Sequence, residues 1–512
     1  MSNPKTSPRR PDAFALVCLG LLALYAAFLV RFSTSVAGGA DSAGYLTSAK
    51  LITEGRTTMP VRTIPEWPAA GDELWSYCPL GLKMNEADLA LRPTYPVGMP
   101  LLVALSARVL GWHWGPIFVN VIGAVAAVLL TFRCARLLGV SRPWAATGAA
   151  SLATSPVLVF TSIQPLSDTL ATTWTVAAMA CALATRQPSH DAEHLPSRTS
   201  HSTAWALACG FAFAMSVLVR PTNVVIAPAL ALLLRDWRAL LAAIGGGLPG
   251  AAFLAWYQAT LYGSALQTGY GDASYLFSWS WLGPTLLHYV TALPVALPLI
   301  VPALFLLPVL RWRRAWRDLA ALLGSFLTLA ALYSIYLCTH ENLWYLRFLL
   351  PSFPALAIVG SLAMDKALER LPLRRQSSIQ FAATVVVAIL CLSLCHRTLM
   401  EQRAYDTKEL QRPYRDLSLW ARDHIPGNAV ILTLHASCSL YFYTDFPTIR
   451  SDLVGPDRFL GLRERLRASG RPAYALLNQY DDEHRRQKLI PGDWVEIHRV
   501  QMLSLWELRH SP

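Results

Sequence analysis

Apolar residues in this chain gather in long runs rather than in the short alternations of a water-soluble fold. A bilayer core of ~30 Å is crossed by about 20 apolar helical residues. Runs that reach or approach this length lie at 13–31, 116–138, 143–163, 168–186, 203–220, 221–236, 239–261, 286–310, 319–338, 347–364 and 377–396. The pattern predicts eleven membrane-spanning helices. Residues 203–236 form one block divided by Arg220-Pro221-Thr222-Asn223. Proline disfavours helix in the residue before it, so a tight turn between two spans is expected there.

Polar positions between the runs orient them, because Lys and Arg accumulate in cytoplasmic loops. Lys5, Arg9 and Arg10 precede the first run. Arg133, Arg136 and Arg142, then Arg186 and Arg198, Arg235 and Arg238, Arg311, Arg313, Arg314 and Arg317, and Lys366, Arg370, Arg374 and Arg375 fall on alternate loops. The short loops on the other side carry only Arg220 and Arg347. The bias puts the N-terminus inside and the C-terminus outside. Residues 95–111 are apolar enough for another span, but counting them as a crossing would invert every later loop. They are expected to form a helix on the outer face, within one long outer loop, 32–115. The first run resembles a signal peptide ending at Ser35-Val36-Ala37, but its apolar stretch exceeds the usual core of about 7–15 residues, so a retained span is expected.

At residue 397 the pattern becomes polar. The tail reads as helix (Tyr414–His424), turn (Pro426-Gly427-Asn428), strand (Ala429–Leu434), helix (Pro456–Ala468), strand (Tyr474–Asn478) and two late strands near Trp494–Val500 and Ser504–Leu508. The expected fold class is thus an all-α polytopic membrane protein, residues 1–396, with a small extracytoplasmic α/β domain, residues 397–512.

Composition narrows the function. The 512 residues are 54% hydrophobic and 15% charged, against about 25% charged in soluble domains. An ordinary cytosolic enzyme is excluded. The net charge of +12 reflects loop orientation rather than a nucleic-acid partner. Most of the nine cysteines sit inside apolar runs; Cys78 and Cys438 are the two candidates for a disulfide outside the membrane.

Candidate chemistry lies where polar groups meet the outer membrane edge. Asp41 follows the first span, and a carboxylate there can act as a general base; it can equally cap a helix over Ser42–Glu54. Asp168, in the next outer turn after Pro165, poses the same choice. Arg347 and Arg220 run against the positive-inside trend. Each is either a bidentate phosphate ligand or an interfacial side chain reaching for water. Lys83 and Arg92 in the first loop are weaker phosphate candidates. Trp67, Trp75, Trp112, Trp114, Trp279 and Trp281 suit an interfacial belt. His190 and His194 are four apart but sit in a Ser/Pro-rich inner loop, so no metal site is expected. The sequence has no P-loop, no dinucleotide-binding glycine fingerprint, no GxSxG and no Asp-x-Asp.

Four segments, in order, resemble the C-type (GT-C) membrane glycosyltransferases of bacteria, among them aminoarabinose transferases and protein O-mannosyltransferases. They are Asp41-Ser-Ala-Gly-Tyr45-Leu, Arg92-Pro-Thr-Tyr-Pro96-Val-Gly98-Met-Pro100-Leu, Ser155-Pro156 with Pro165-Leu-Ser-Asp168-Thr, and Tyr345-Leu-Arg347-Phe-Leu-Leu-Pro351. The likeness covers roughly residues 13–365.

The resemblance implies transfer of a hexosyl or pentosyl group from a polyprenyl-phosphate-sugar donor to an extracytoplasmic glycan, lipid or protein acceptor, in the bacterial inner membrane and among its lipids. No cofactor is implied to be required. Asp41 matches the family's first-loop catalytic aspartate and Asp168 a second-loop acid. Arg347, with Arg220, Lys83, Arg92 and Tyr45, falls among the residues expected to bind substrate or its phosphate. Many relatives have Asp-Glu where this chain has Asp41-Ser42, which points away from a protein O-mannosyltransferase. The alternatives are a lipid-linked sugar flippase or other transporter, and a non-catalytic scaffold. Against transport, the mid-span positions are almost uncharged and the acids cluster at one face.

Overall fold

The computed structural model describes residues 12–68, 70–186, 198–306, 312–370, 376–479 and 486–509. His190, His194, Lys5, Arg9, Arg10, Arg311, Arg374 and Arg375 lie outside them. Helices follow the apolar runs: α1 (Ala13–Phe32), α2 (Ala40–Thr53), α3 (Gly98–Leu137), α4 (Arg142–Ala153), α5 (Pro156–Ser162), α6 (Asp168–Ala184), α7 (Arg198–Val219), α8 (Ala227–Leu234), α9 (Trp237–Tyr262), α10 (Leu282–Ala296), α11 (Ile300–Leu306), α12 (Trp312–Tyr333), α13 (Phe353–Glu369) and α14 (Gln376–Glu401). Two 3-10 stretches, Pro221–Ile226 and Leu343–Ser352, lead into α8 and α13.

The chain is a multi-pass, mostly helical membrane protein. Among the described residues six helical segments are long and apolar enough to cross a membrane: α1, α3, Ser202–Val219, α9, Leu343–Glu369 and Ser378–Glu401. A seventh arises only if α10 and α11, bent by 109°, are one span. Of the other expected spans, 319–338 falls largely on the 22-residue α12, and the rest fall on shorter or interrupted helices. Residues 143–163 break at Thr154-Ser155, before Pro156. The run 286–310 bends because Pro294 lies inside α10, and Leu297, which precedes Pro298, is non-helical (φ −148°, ψ 81°); proline removes a helix hydrogen bond and crowds the turn before it. The helix expected at 95–111 is the first part of α3. Gly111 (φ 75°, ψ 168°) breaks α3, and Ala107 packs closely against Gly115 across the break.

Asp168 opens α6 and Arg186 lies just past its other end, about 27 Å away at 1.5 Å per residue. That span matches the bilayer core and separates two charged clusters. At the Arg186 end, Arg186 and Arg235 both pair with Asp318 at 2.7 and 2.6 Å. The first loop and the tail sit at the Asp168 end.

The first loop carries an antiparallel sheet, order β1 (Met59–Pro60), β3 (Ala90–Pro93), β2 (Leu82–Asn85). The tail adds α15 (Thr407–His424), α16 (Ser437–Tyr443), α17 (Pro456–Ser469) and strands β4 (Val430–Leu432), β5 (Thr448–Ile449), β6 (Ala473–Asn478), β7 (Trp494–Val500) and β8 (Leu503–Leu508), in the order β5-β4-β6-β8-β7. β4 is parallel to β5 and β6, and β8 antiparallel to β6 and β7. The short α16 and β5 were not anticipated. Loop and tail share one core, in which Trp67, Tyr77 and Leu91 pack with Val430, Phe459 and Leu477. Trp67 is therefore no membrane-belt residue: it is buried and donates to Ser76 Oγ at 2.8 Å. Trp75, Trp112, Trp114 and Trp279 are exposed. Cys78 and Cys438 are both free.

Candidate active site

Four residues from distant parts of the sequence form one charged cluster. Arg347 Nη2 donates to Asp41 Oδ2 at 2.8 Å, and its Nη1 lies 4.0 Å from Asp168 Oδ2. Arg220 Nη1 donates to Asp168 Oδ1. Two acids and two arginines thus balance each other. The ring of Phe348 lies beneath both cations, 5.1 Å from Arg220 and 5.6 Å from Arg347, which adds an electrostatic attraction that does not consume hydrogen bonds.

Local sequence explains each placement. Arg220 precedes Pro221 and is forced to an extended backbone (φ −148°, ψ 99°), which ends α7. Arg347 sits in the tight 3-10 stretch that begins when Asn342 caps Trp344 N–H at 3.0 Å. Asp168 is the first residue of α6 and faces the positive end of its dipole. Asp41 lies in the first turn of α2. Gly44, one turn on, has no room for a Cβ against the Tyr95 ring, and this close approach lets Tyr95 Oη donate to Asp41 Oδ1 at 2.7 Å.

Neither acid is a helix cap. The cap positions belong to Gly39 and Ser167, without side-chain cap bonds, and both carboxylates are turned to arginines. Neither arginine is an interfacial side chain reaching for water. Burial acts to raise the Asp41 pKa, but the Arg347 charge, the hydrogen bonds from Tyr95 and Arg347 and the Arg220 charge outweigh it and hold the carboxyl below its ordinary value. Tyr95 is pushed far up by burial and by the Asp41 charge, so it remains a proton donor.

Tyr45 joins the site through its hydroxyl, 2.7 Å from Ser167 Oγ, and its ring packs on Tyr95 at 4.8 Å. Lys83 lies on β2 with its Nζ over Gly271, beside Tyr270, whose ring meets Tyr95 edge-on at 6.0 Å. Arg92 is engaged by Asp88 at 2.6 Å and stays outside the charged cluster. Sequence reasoning missed Tyr95, Ser167, Tyr270 and Phe348 as site residues. Tyr95, Ser167 and Phe348 lay in segments singled out above; Tyr270 had no signal. A shallow cleft lined by Tyr95, Pro221, Tyr257, Gln258, Tyr262 and Tyr270 opens beside the cluster. Among the described residues no three His, Cys, Asp or Glu side chains converge on a metal-sized space.

No protein-family model matches the sequence, and no curated protein matches it. The fold is nonetheless similar to solved structures. ArnT from Cupriavidus metallidurans bound to undecaprenyl phosphate superposes with a TM-score of 0.57 at 12% identity, over 97% of this chain and 98% of that one. The oligosaccharyltransferase of Archaeoglobus fulgidus, tethered to an acceptor peptide, gives 0.56 at 12% identity, over 90% of this chain and 69% of that one. The oligosaccharyltransferase AglB of the same organism, with an inhibitory peptide and a dolichol-phosphate, gives 0.54 at 13% identity, over 91% and 70%. This chain shares the fold of these structures.

Proposed function

We propose that this chain is a membrane glycosyltransferase that moves a hexosyl or pentosyl group from a polyprenyl-phosphate carrier to an acceptor on the extracytoplasmic side of the bacterial inner membrane. The observation that carries the reading is the Asp41–Arg347–Asp168–Arg220 cluster at one end of an apolar helical bundle. The similar folds holding undecaprenyl phosphate and dolichol-phosphate support it. The positive-inside bias supports eleven spans and an outward-facing cluster, with the loop 32–115 and the tail 397–512 on the outer side.

In the proposed reaction Asp41 takes the proton of the acceptor hydroxyl. The acceptor oxygen bonds to the anomeric carbon as the bond from that carbon to the carrier phosphate breaks, and the electron pair leaves with the phosphate. Arg347, Arg220 and Lys83 stabilise that charge. Paired with Arg347, Asp41 is a weak base. An arriving phosphate draws on the same guanidinium, offsets its field and returns proton affinity to Asp41, so the base is strengthened where the donor is present.

The test is mass spectrometry of envelope glycans, lipids and proteins from a strain lacking the gene. One sugar-bearing species should disappear, return with the wild-type chain and stay absent with Asp41→Asn. An unchanged set of glycans in the deletion strain would remove the transferase reading. Full restoration by Asp41→Asn would remove Asp41 from the mechanism.

A further inference from the structure

Asp41 is delivered by a segment without regular structure. Ser33, Thr34, Val36 and Ala37, between α1 and α2, are buried, and buried backbone polar groups need partners. Thr34 N–H donates to Ile163 O at 2.8 Å. For Ala37 and Gly38 partners come from the tail. Ala37 N–H donates to Tyr443 Oη at 3.0 Å. The fully buried Ser439 hydroxyl lies 2.6 Å from Ala37 O and 3.1 Å from Gly38 O and shares its proton between them. Cys438 Sγ approaches Gly39 O at 3.8 Å. Ser437 Oγ accepts Leu80 N–H at 3.1 Å, and so ties in the chain that leads to Tyr95. All four tail residues belong to α16.

This clamp stands where the chain itself is least directive. Gly38 and Gly39 impose no preferred backbone direction, and α2 lacks a side-chain cap. We infer that α16 seats the base of the transfer reaction: Ser439 and Tyr443 are positioning residues that fix Asp41 against Arg347 and Tyr95. The inference rests on the reading of Asp41 as that base. It gives the tail a part in the chemistry although, among the described residues, no tail side chain enters the charged cluster. A catalytic group misplaced by about 1 Å costs about 10²-fold in rate.

The experiment compares purified full-length Ser439→Ala, Tyr443→Phe, Ser439→Thr and Asp41→Asn. Membranes of the deletion strain supply unused donor and acceptor, and affinity for undecaprenyl phosphate is measured in parallel. Ser439→Ala and Tyr443→Phe should lower the transfer rate about 10- to 100-fold with undecaprenyl phosphate affinity unchanged, and Ser439→Thr, which keeps the hydroxyl, should restore it. The acid limb of the rate should also move upward in the two slow variants, because Asp41 loosens from Arg347. Should Ser439→Ala fail to fold, Tyr443→Phe, which keeps the ring, decides by the same readings. Wild-type rates in Tyr443→Phe and Ser439→Ala beside an inactive Asp41→Asn overturn the positioning role alone. A rate loss matched by lost undecaprenyl phosphate binding, without rescue by Ser439→Thr, shows a merely structural role and overturns it too. An active Asp41→Asn instead overturns the assignment of the base.

Discussion

Arg347 stands between the two acids, 2.8 Å from Asp41 and 4.0 Å from Asp168. One guanidinium thereby joins α2, α6 and the approach to α13, three elements that share no local sequence. Its planar fork is what makes the bridge possible, because a single ammonium has one charge centre and no fixed plane. Arg347→Ala should lower transfer about 10²- to 10³-fold, the usual loss for one donor to a developing anion. Arg347→Lys should recover only part of it, as read from initial rates.

Tyr95→Phe keeps the ring contact with Tyr45 and deletes the donation to Asp41. That hydrogen bond lowers the Asp41 pKa, so its loss raises it. Transfer that needs ionised Asp41 should then fail at a higher pH on the acid side than in the wild type, in a pH–rate profile. The same sign governs stability. A carboxyl whose folded pKa is depressed stabilises the fold above its unfolded value of about 3.9, and that contribution is lost as pH falls through the folded value. Thermal melts of Tyr95→Phe should therefore lose the Asp41 contribution at higher pH on acidification.

Asp168 and Arg220 are both largely buried, with side chains 5% and 13% exposed. Asp168→Asn leaves Arg220 without its counter-charge, and removing one partner of a buried pair costs about 3–5 kcal/mol. The double variant Asp168→Asn/Arg220→Gln should be more stable than Asp168→Asn alone, as a double-mutant cycle in denaturant will read. Transfer by Asp168→Asn should fall less than by Asp41→Asn.

Lys83 and Arg92 pair across one strand register but differ in surroundings. Lys83→Met should weaken undecaprenyl phosphate binding about tenfold, the equivalent of ~1.4 kcal/mol. Arg92→Met, which removes a cation already held by Asp88, should leave it within about twofold. Titration in lipid nanodiscs separates the two.

Trp67→Ala opens the core common to the first loop and the tail. A buried tryptophan truncated to alanine costs about 3–5 kcal/mol. Limited proteolysis should cut the loop and the tail faster than in the wild type.

The run of apolar residues was sufficient to read the helical bundle, because about 20 consecutive apolar residues have few stable arrangements besides a membrane helix. Charge parity alone set residues 95–111 apart from the span after them, and Gly111 is the break between them. The tail's α/β pattern was legible from alternation and turns, except where α16 and β5 were too short to show a period. Trp67 was misread because an aromatic near a membrane edge looks the same in sequence whether it meets lipid or a neighbouring sheet.

What the sequence determined by itself was which residues to single out: Asp41, Asp168, Arg220 and Arg347 stand out as charges beside apolar runs, and a charge there is costly enough to need a reason. Only the tertiary structure decided that they pair with one another, that Tyr95 rather than a helix end holds Asp41, and that α16 grips the segment before it. Local propensity acts over a few residues, whereas these contacts are fixed by how helices pack across the bundle, so no spacing along the chain encodes them.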